Sequence, residues 1–343
     1  MKNNYKVMSI FFCLFLLGGC QKQNTSETDA EQSTPNSPSL MICKEIDKGL
    51  QQYIEDWNPE AVIEFNDLVK TCLPKLDKQQ RYAWLEASHE VYKNLIDNTS
   101  DEAVQYIADQ NNPNHPVSTE EMKNNYDNFN DEEKFLVDHL KQLYLHEYNL
   151  GADEQDLVRS AQYELDLFSP YLEKADQAYF QQILAEQKNS NGALNRDESL
   201  AVDFSTLANW ILFWESYIQQ NPNSHFDAVA KEKLKQYQSY LYFGLKNTSV
   251  FDPHHKNYIN PQAYNAIKNL AKNNTPAGQT AKNYVAYILS NQKAWIQIHT
   301  KNDDASDSKL EQQYIQDITT KLAITPPQIV EVKANEDSPT EQP

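Results

Sequence analysis

The stretch QQRYAWLEASHEVYKNLI, residues 79–96, decides the fold class. Tyr82, Leu85, His89, Tyr92 and Ile96 recur at steps of three and four, the period of one helix face. No glycine or proline interrupts the run, so it predicts a long amphipathic helix. Upstream, Asn58-Pro59 is a breaker, and Ala61, Val62, Phe65, Leu68 and Val69 form the next stripe. Before it, Ile46, Leu50, Tyr53 and Ile54 form another. Downstream, Ser100-Asp101 reads as a cap leading into a short helix through Ile107. Residues 110–130, rich in Asn and Pro, predict a long loop with one small helix. Asp131 is expected to cap a helix carrying Phe135, Leu136, His139, Leu140, Leu143 and Leu145. Asp153 to Lys188 is read as helical again, kinked at Ser169-Pro170.

The segment NSNGALNRD, residues 189–197, is the best internal boundary. After it, helices are expected at 198–220, 224–244, 261–273, 276–299 and 308–323, and Pro326-Pro327 stops the last. The expectation is an all-α chain of stacked antiparallel helices, α-solenoid-like or a multi-helix bundle. It divides into an N-terminal helical region, 42–188, and a C-terminal one, 198–325. Residues 326–343 read as a disordered acidic tail.

Composition agrees with helices. The chain of 343 residues holds 7 glycines, of which Gly18 and Gly19 fall in the leader described below, and a β-rich chain needs more for its turns. Its 20 Tyr and 5 Trp supply bulk suited to helix grooves, where a ring is buried and the polar end stays wet. The formal charge is −19, and the arginines are Arg81, Arg159 and Arg196. That balance lacks the electropositive footprint of a nucleic-acid or anionic-lipid binder.

The chain opens with Lys2 and Lys6, an apolar run from Val7 to Leu17, and then Leu17-Gly18-Gly19-Cys20. The run is too short to span a bilayer permanently, and its basic start and small-residue end fit an export signal. The Leu-Gly-Gly-Cys ending resembles the lipobox of bacterial lipoproteins. The resemblance implies a signal peptide over residues 1–19, cleavage before Cys20, and acylation of that cysteine. Gln21, in place of Asp, implies sorting to the outer membrane, with the domain facing the periplasm. Residues 20–41 then comprise the lipidated cysteine and a polar, flexible tether, spanning roughly 25 Å on average. The membrane contact is the lipid and not a basic patch.

Cys13 lies in the leader, which leaves Cys43 and Cys72 as an even pair. The Asn58-Pro59 turn falls midway between them, so two antiparallel helices bring both to the open end of a hairpin. A disulfide there would close the hairpin, worth roughly 3–4 kcal/mol in the chain-entropy model. Two packed free thiols are the alternative; a redox or metal pair lacks a Cys-x-x-Cys motif.

Candidate chemistry is sparse. Glu86-Ala87-Ser88-His89 has the Glu-x-x-His spacing used in di-iron bundles, but no second copy exists. His139 and His146 are expected on one helix face, with Glu147 beside His146, either a half-buried stripe or part of a zinc site. Asp252-Pro253-His254-His255 is the most metal-like cluster, with His254 and His255 as candidate ligands. No His-x-x-Glu occurs, so the chain departs from the imelysin-like periplasmic proteins at their defining residues. Nucleophile-elbow, zincin and P-loop motifs are absent as well. Trp210, Phe213, Trp214 and Tyr217 form the richest aromatic stripe, either a core seam or a binding groove. Trp210, Trp214 and Tyr217 are the candidate binding residues.

The segment Tyr217-Ile218 through Pro222-Asn223-Ser224, Phe226, Ala230 and Leu234 resembles the helix-turn-helix joint of tetratricopeptide-like repeats in envelope lipoproteins. It appears once, and supports stacked antiparallel helices. The expected function is that of a lipid-anchored binding scaffold or accessory factor for an envelope protein, in assembly, secretion or peptidoglycan upkeep. No enzyme activity, cofactor or nucleic-acid partner is expected. The alternative is a ligand- or metal-binding envelope lipoprotein.

Overall fold

The computed structural model describes residues 43–327 except Lys44, Asp47, Lys48, Asp56 and residues 112–116, 152–153, 253–254, 256–257 and 300–303. Cys20, the leader, the tether and the tail beyond Pro327 lie outside the described residues, and so does His254. The fold is mostly all-α, as the helical periods predict.

The first hairpin pairs α1 (Leu50–Glu55) with α2 (Pro59–Cys72). Asn58 starts α2, its side chain accepting from the Glu60 amide while Pro59 occupies the first turn. The Cys43 and Cys72 sulfurs are bonded, with Cα atoms 5.4 Å apart, at the end of the hairpin opposite that turn. The deciding stripe folds as α3 (Lys78–Asp97). A reciprocal capping box starts it: Asp77 accepts from the Gln80 amide, and the Gln80 side chain returns to the Asp77 amide. Trp84, Leu85, Val91, Tyr92 and Leu95 form its buried face. Then come α4 (Asp101–Asn111), α5 (Thr119–Asn128) and α6 (Asp131–His139), the last capped by Asn130 rather than Asp131.

Here the structure departs from the helical reading. Beyond His139 the chain turns, with Tyr144 in the left-handed region (φ 55°), and enters an antiparallel hairpin of β1 (Leu145–Gly151) and β2 (Glu154–Arg159). Leu145 faces Arg159 and His146 faces Val158. Leu143 to Leu145 is a step of two, the strand period, and helix geometry cannot bury both on one stripe. Both are buried here, with Leu157 beside them. His139 and His146 therefore do not share a helix face. His139 stacks on Phe135, and His146 sits on a strand, half-buried, with burial lowering its pKa.

The chain continues through α7 (Gln162–Leu167), a short 3-10 turn at Ser169–Tyr171, and α8 (Lys174–Ser190). Asn191 ends α8 in the left-handed conformation, and a small hairpin of β3 (Asn195–Arg196) and β4 (Ser199–Leu200) follows, so 189–197 is a tight turn region. The C-terminal region holds α9 (Phe204–Gln220), α10 (Asp227–Phe243), the small hairpin β5 (Gly244–Leu245) and β6 (Thr248–Ser249), then α11 (Pro261–Leu270), α12 (Pro276–His299) and α13 (Asp304–Leu322). One hydrophobic core runs from Cys43 to Ile324 across the 189–197 boundary. No helix among the described residues is long and apolar enough to cross a membrane.

Candidate functional site

Trp210, Trp214 and Tyr217 lie inside the C-terminal region, at 5%, 0% and 3% exposure. They form the core seam of α9 and line no open groove, which corrects the binding assignment. The cause is local. Glu186, buried on α8, accepts from Trp214 Nε1 (2.6 Å) and from the Tyr237 hydroxyl (2.5 Å). Lys233 supplies the opposing charge at 3.3 Å. A buried carboxylate accepting from both satisfies the indole N–H and the phenol O–H inside the core, where either left unpaired would be costly.

Of the candidate metal ligands, His255 lies among the described residues and His254 does not. His255 is held in a loop, its amide donating to the Asp252 carbonyl (3.1 Å) and its own carbonyl accepting from the Tyr258 amide (2.9 Å). Among the described residues, no group of three or more His, Cys, Asp or Glu is placed to hold a metal ion.

One concave feature among the described residues is a groove between α3 and α8, about 430 Å³ in volume. From α3 it takes His89, Tyr92, Lys93, Ile96 and Asp97, one face over two turns. From α8 it takes Tyr179, Phe180, Ile183 and Gln187, again over two turns. Val158, Arg159, Ala161 and Glu164 close the floor, and Phe226 closes one side. Tyr92, Tyr179, Phe180 and Phe226 are buried, whereas Ile96, Val158 and Ile183 are partly buried apolar groups.

The floor is rigid. Gln187 accepts from the Ala161 amide (2.8 Å) and donates to the Arg159 carbonyl (3.1 Å), tying α8 to the end of β2. Phe226 stacks on Tyr179 with ring centroids 4.2 Å apart. Arg159 lies over the rings of Tyr92 and Tyr163, at 4.6 and 4.5 Å, and donates to the Ser88 carbonyl (2.9 Å) and to Glu164. Glu164 also meets His89 Nε2 at 3.3 Å. Burial pushes the Glu164 carboxyl up, but the Arg159 charge and the His89 contact more than offset this and leave it below its ordinary value.

A second polar chain borders the groove. Glu86 accepts from His225 Nε2 (3.0 Å) and lies 3.9 Å from His89 Nδ1. His225 stacks on Tyr82 (4.4 Å), and the Tyr82 hydroxyl donates to Asp176. Asp176 is fully buried, and its Oδ1 has no hydrogen-bond partner among the described residues. Burial raises the Asp176 pKa despite the Tyr82 bond. The Glu86–His89 pair weighed for iron thus fastens α3 to the corner before α10. The sequence pattern could not reveal this, because Arg159, Glu164, Ile183 and Phe226 come from separate elements.

Comparison with family models, with curated proteins and with solved structures gives no match.

Proposed function

We propose that the chain is a lipid-anchored protein of the outer membrane, facing the periplasm, that binds another envelope protein and performs no turnover. The anchor rests on Leu17-Gly18-Gly19-Cys20. The closed Cys43–Cys72 hairpin suits an oxidising compartment. The observation that carries the binding reading is the α3–α8 groove: buried aromatic rings, polar groups already paired with one another, and partly exposed aliphatic side chains beside them. A hydrophobic centre with a polar edge is the ordinary anatomy of a protein-binding patch.

Two measurements test it. Cys20→Ala should move the protein from the membrane to the released fraction or stall its processing; unchanged fractionation and mature mass contradict the anchor. Full-length protein recovered from membranes should retain a stoichiometric partner that Ile183→Gln loses. The same partner held equally by both forms contradicts the groove. A second reading, a small ligand in this groove, draws support from its volume, which falls within the range of small-molecule sites. A stoichiometric small molecule or metal in protein purified without a His tag would favour it.

A further inference from the structure

We infer that the acidic tail of this chain, residues 328–343, lies along the outer face of α12 and covers it. Lys282, Ala286, Leu289, Lys293 and Ile296 are all exposed on α12, and their alternating steps of four and three put them on one stripe, within an arc of about 80°. Leu289 is 59% exposed and Ile296 51%, so this one face holds two large aliphatic side chains in water. Its charge is equally one-sided. The chain carries 49 acids, yet α12 has none in its 24 residues. Lys282 and Lys293 pair with no acid among the described residues.

An occupant of this face has to bring apolar side chains and acids together. The tail does so: Ile329, Val330 and Val332 flank Glu331, and Glu336, Asp337 and Glu341 follow, against the single Lys333. A second copy of α12 would instead set lysines against the same basic stripe. The tail also starts in the right place. Lys321, in the last turn of α13, lies 4.9 Å from the Tyr287 ring centroid, and Tyr287 donates to Asp317 (3.0 Å). Pro327, where the tail departs, follows Lys321 by six residues, and Leu289 follows Tyr287 by two. The stripe from Lys282 to Ile296 is about 21 Å long, and the 16 residues of the tail reach about 50 Å when extended. By itself the tail has too few apolar residues to fold; on α12 its isoleucine and valines gain aliphatic contacts, and its acids gain the lysines.

The test places a photoreactive residue at Leu289 in the full chain and, in a second sample, at Ser290, which is exposed and about 100° around the helix. Mass spectrometry maps the crosslinks. Position 289 should link within the chain to residues 329–337 at least about fivefold more than position 290, because docking raises the local concentration above that of a loose tether. Lys282→Glu with Lys293→Glu should lower that yield about fivefold, and adding Glu331→Lys, Glu336→Lys and Asp337→Lys should restore it. Melting curves confirm that these variants, altered on the surface or in the tail, are folded. Equal yields from the two positions mean an undocked tail and overturn the inference. A yield indifferent to the lysine changes overturns it too, as does a link from 289 to a second copy or to another protein in place of the tail. None of these outcomes bears on the α3–α8 groove, which partner recovery from membranes judges separately.

Discussion

The α9 seam and the α3–α8 groove are both built from aromatic rings, yet one is shut and the other open. Along α9, Trp210, Trp214 and Tyr217 meet α10, and a buried carboxylate on α8 takes the indole and phenol protons. Along α3 and α8, Tyr92, Tyr179 and Phe180 are buried to the same degree, and the apolar side chains beside them, Ile96 and Ile183, are partly buried. An aromatic stripe therefore does not announce a binding surface. What distinguishes the two regions is the partly exposed aliphatic side chains beside the groove's rings. In α9 the polar handles are used up inside. In the groove the polar groups pair along the floor and edge, and the partly exposed aliphatic side chains are left for something else.

The sharpest break in this comparison is truncation at the seam. Trp214→Ala should cost about 3–5 kcal/mol, because it opens a large cavity and removes one donor to the buried Glu186. Ile183→Gln, at a partly buried site beside the groove, should cost less, about 1–2 kcal/mol. Denaturant midpoints of the two variants check this; equal losses would mean the groove is core as well. Next in size is the covalent tie. Replacing both Cys43 and Cys72 by Ser should cost roughly 3 kcal/mol by the chain-entropy argument. Since α1 packs on α3, the loss should loosen the N-terminal region while hydrogen exchange at the α9 seam stays slow.

A smaller effect separates the two carboxylates near the groove. Glu164 has a depressed pKa, so its contribution is present above the ordinary carboxylate range and is lost as pH falls below about 4. Asp176 has a raised pKa, so its folded form holds a proton longer than the unfolded chain, and stability falls as pH rises from about 4. Asp176→Asn should flatten the falling limb of a melting-temperature profile, and Glu164→Gln should flatten the acid limb. Identical profiles for both variants would contradict the opposed environments.

Most of the helical frame was legible from period and punctuation. The stripe read over 79–96 is α3, and the run read over 276–299 is α12. Asn58-Pro59 breaks the first hairpin where the sequence places the break. The β1–β2 hairpin was missed because Leu140, Leu143 and Leu145 can be forced onto a helical stripe if one step of two is overlooked. Gly151 fell between the two runs read as helical and marked only the break between them. The groove was not legible. His89 stood out by type, but Ile183 and Phe226 are ordinary apolar residues until α8 and the corner before α10 are brought against α3. Which apolar stripe stays uncovered depends on the packing of elements distant in sequence, and local periodicity carries no such information.

Site-specific photocrosslinking in living cells tests the central claim most directly. A photoreactive residue at Lys93, on the groove edge, is compared with one at Lys235, an exposed position on α10. The account predicts a discrete adduct from position 93 that Ile183→Gln abolishes, and none from position 235. Adducts of the same pattern from both positions, or an adduct at 93 that survives Ile183→Gln, would contradict it.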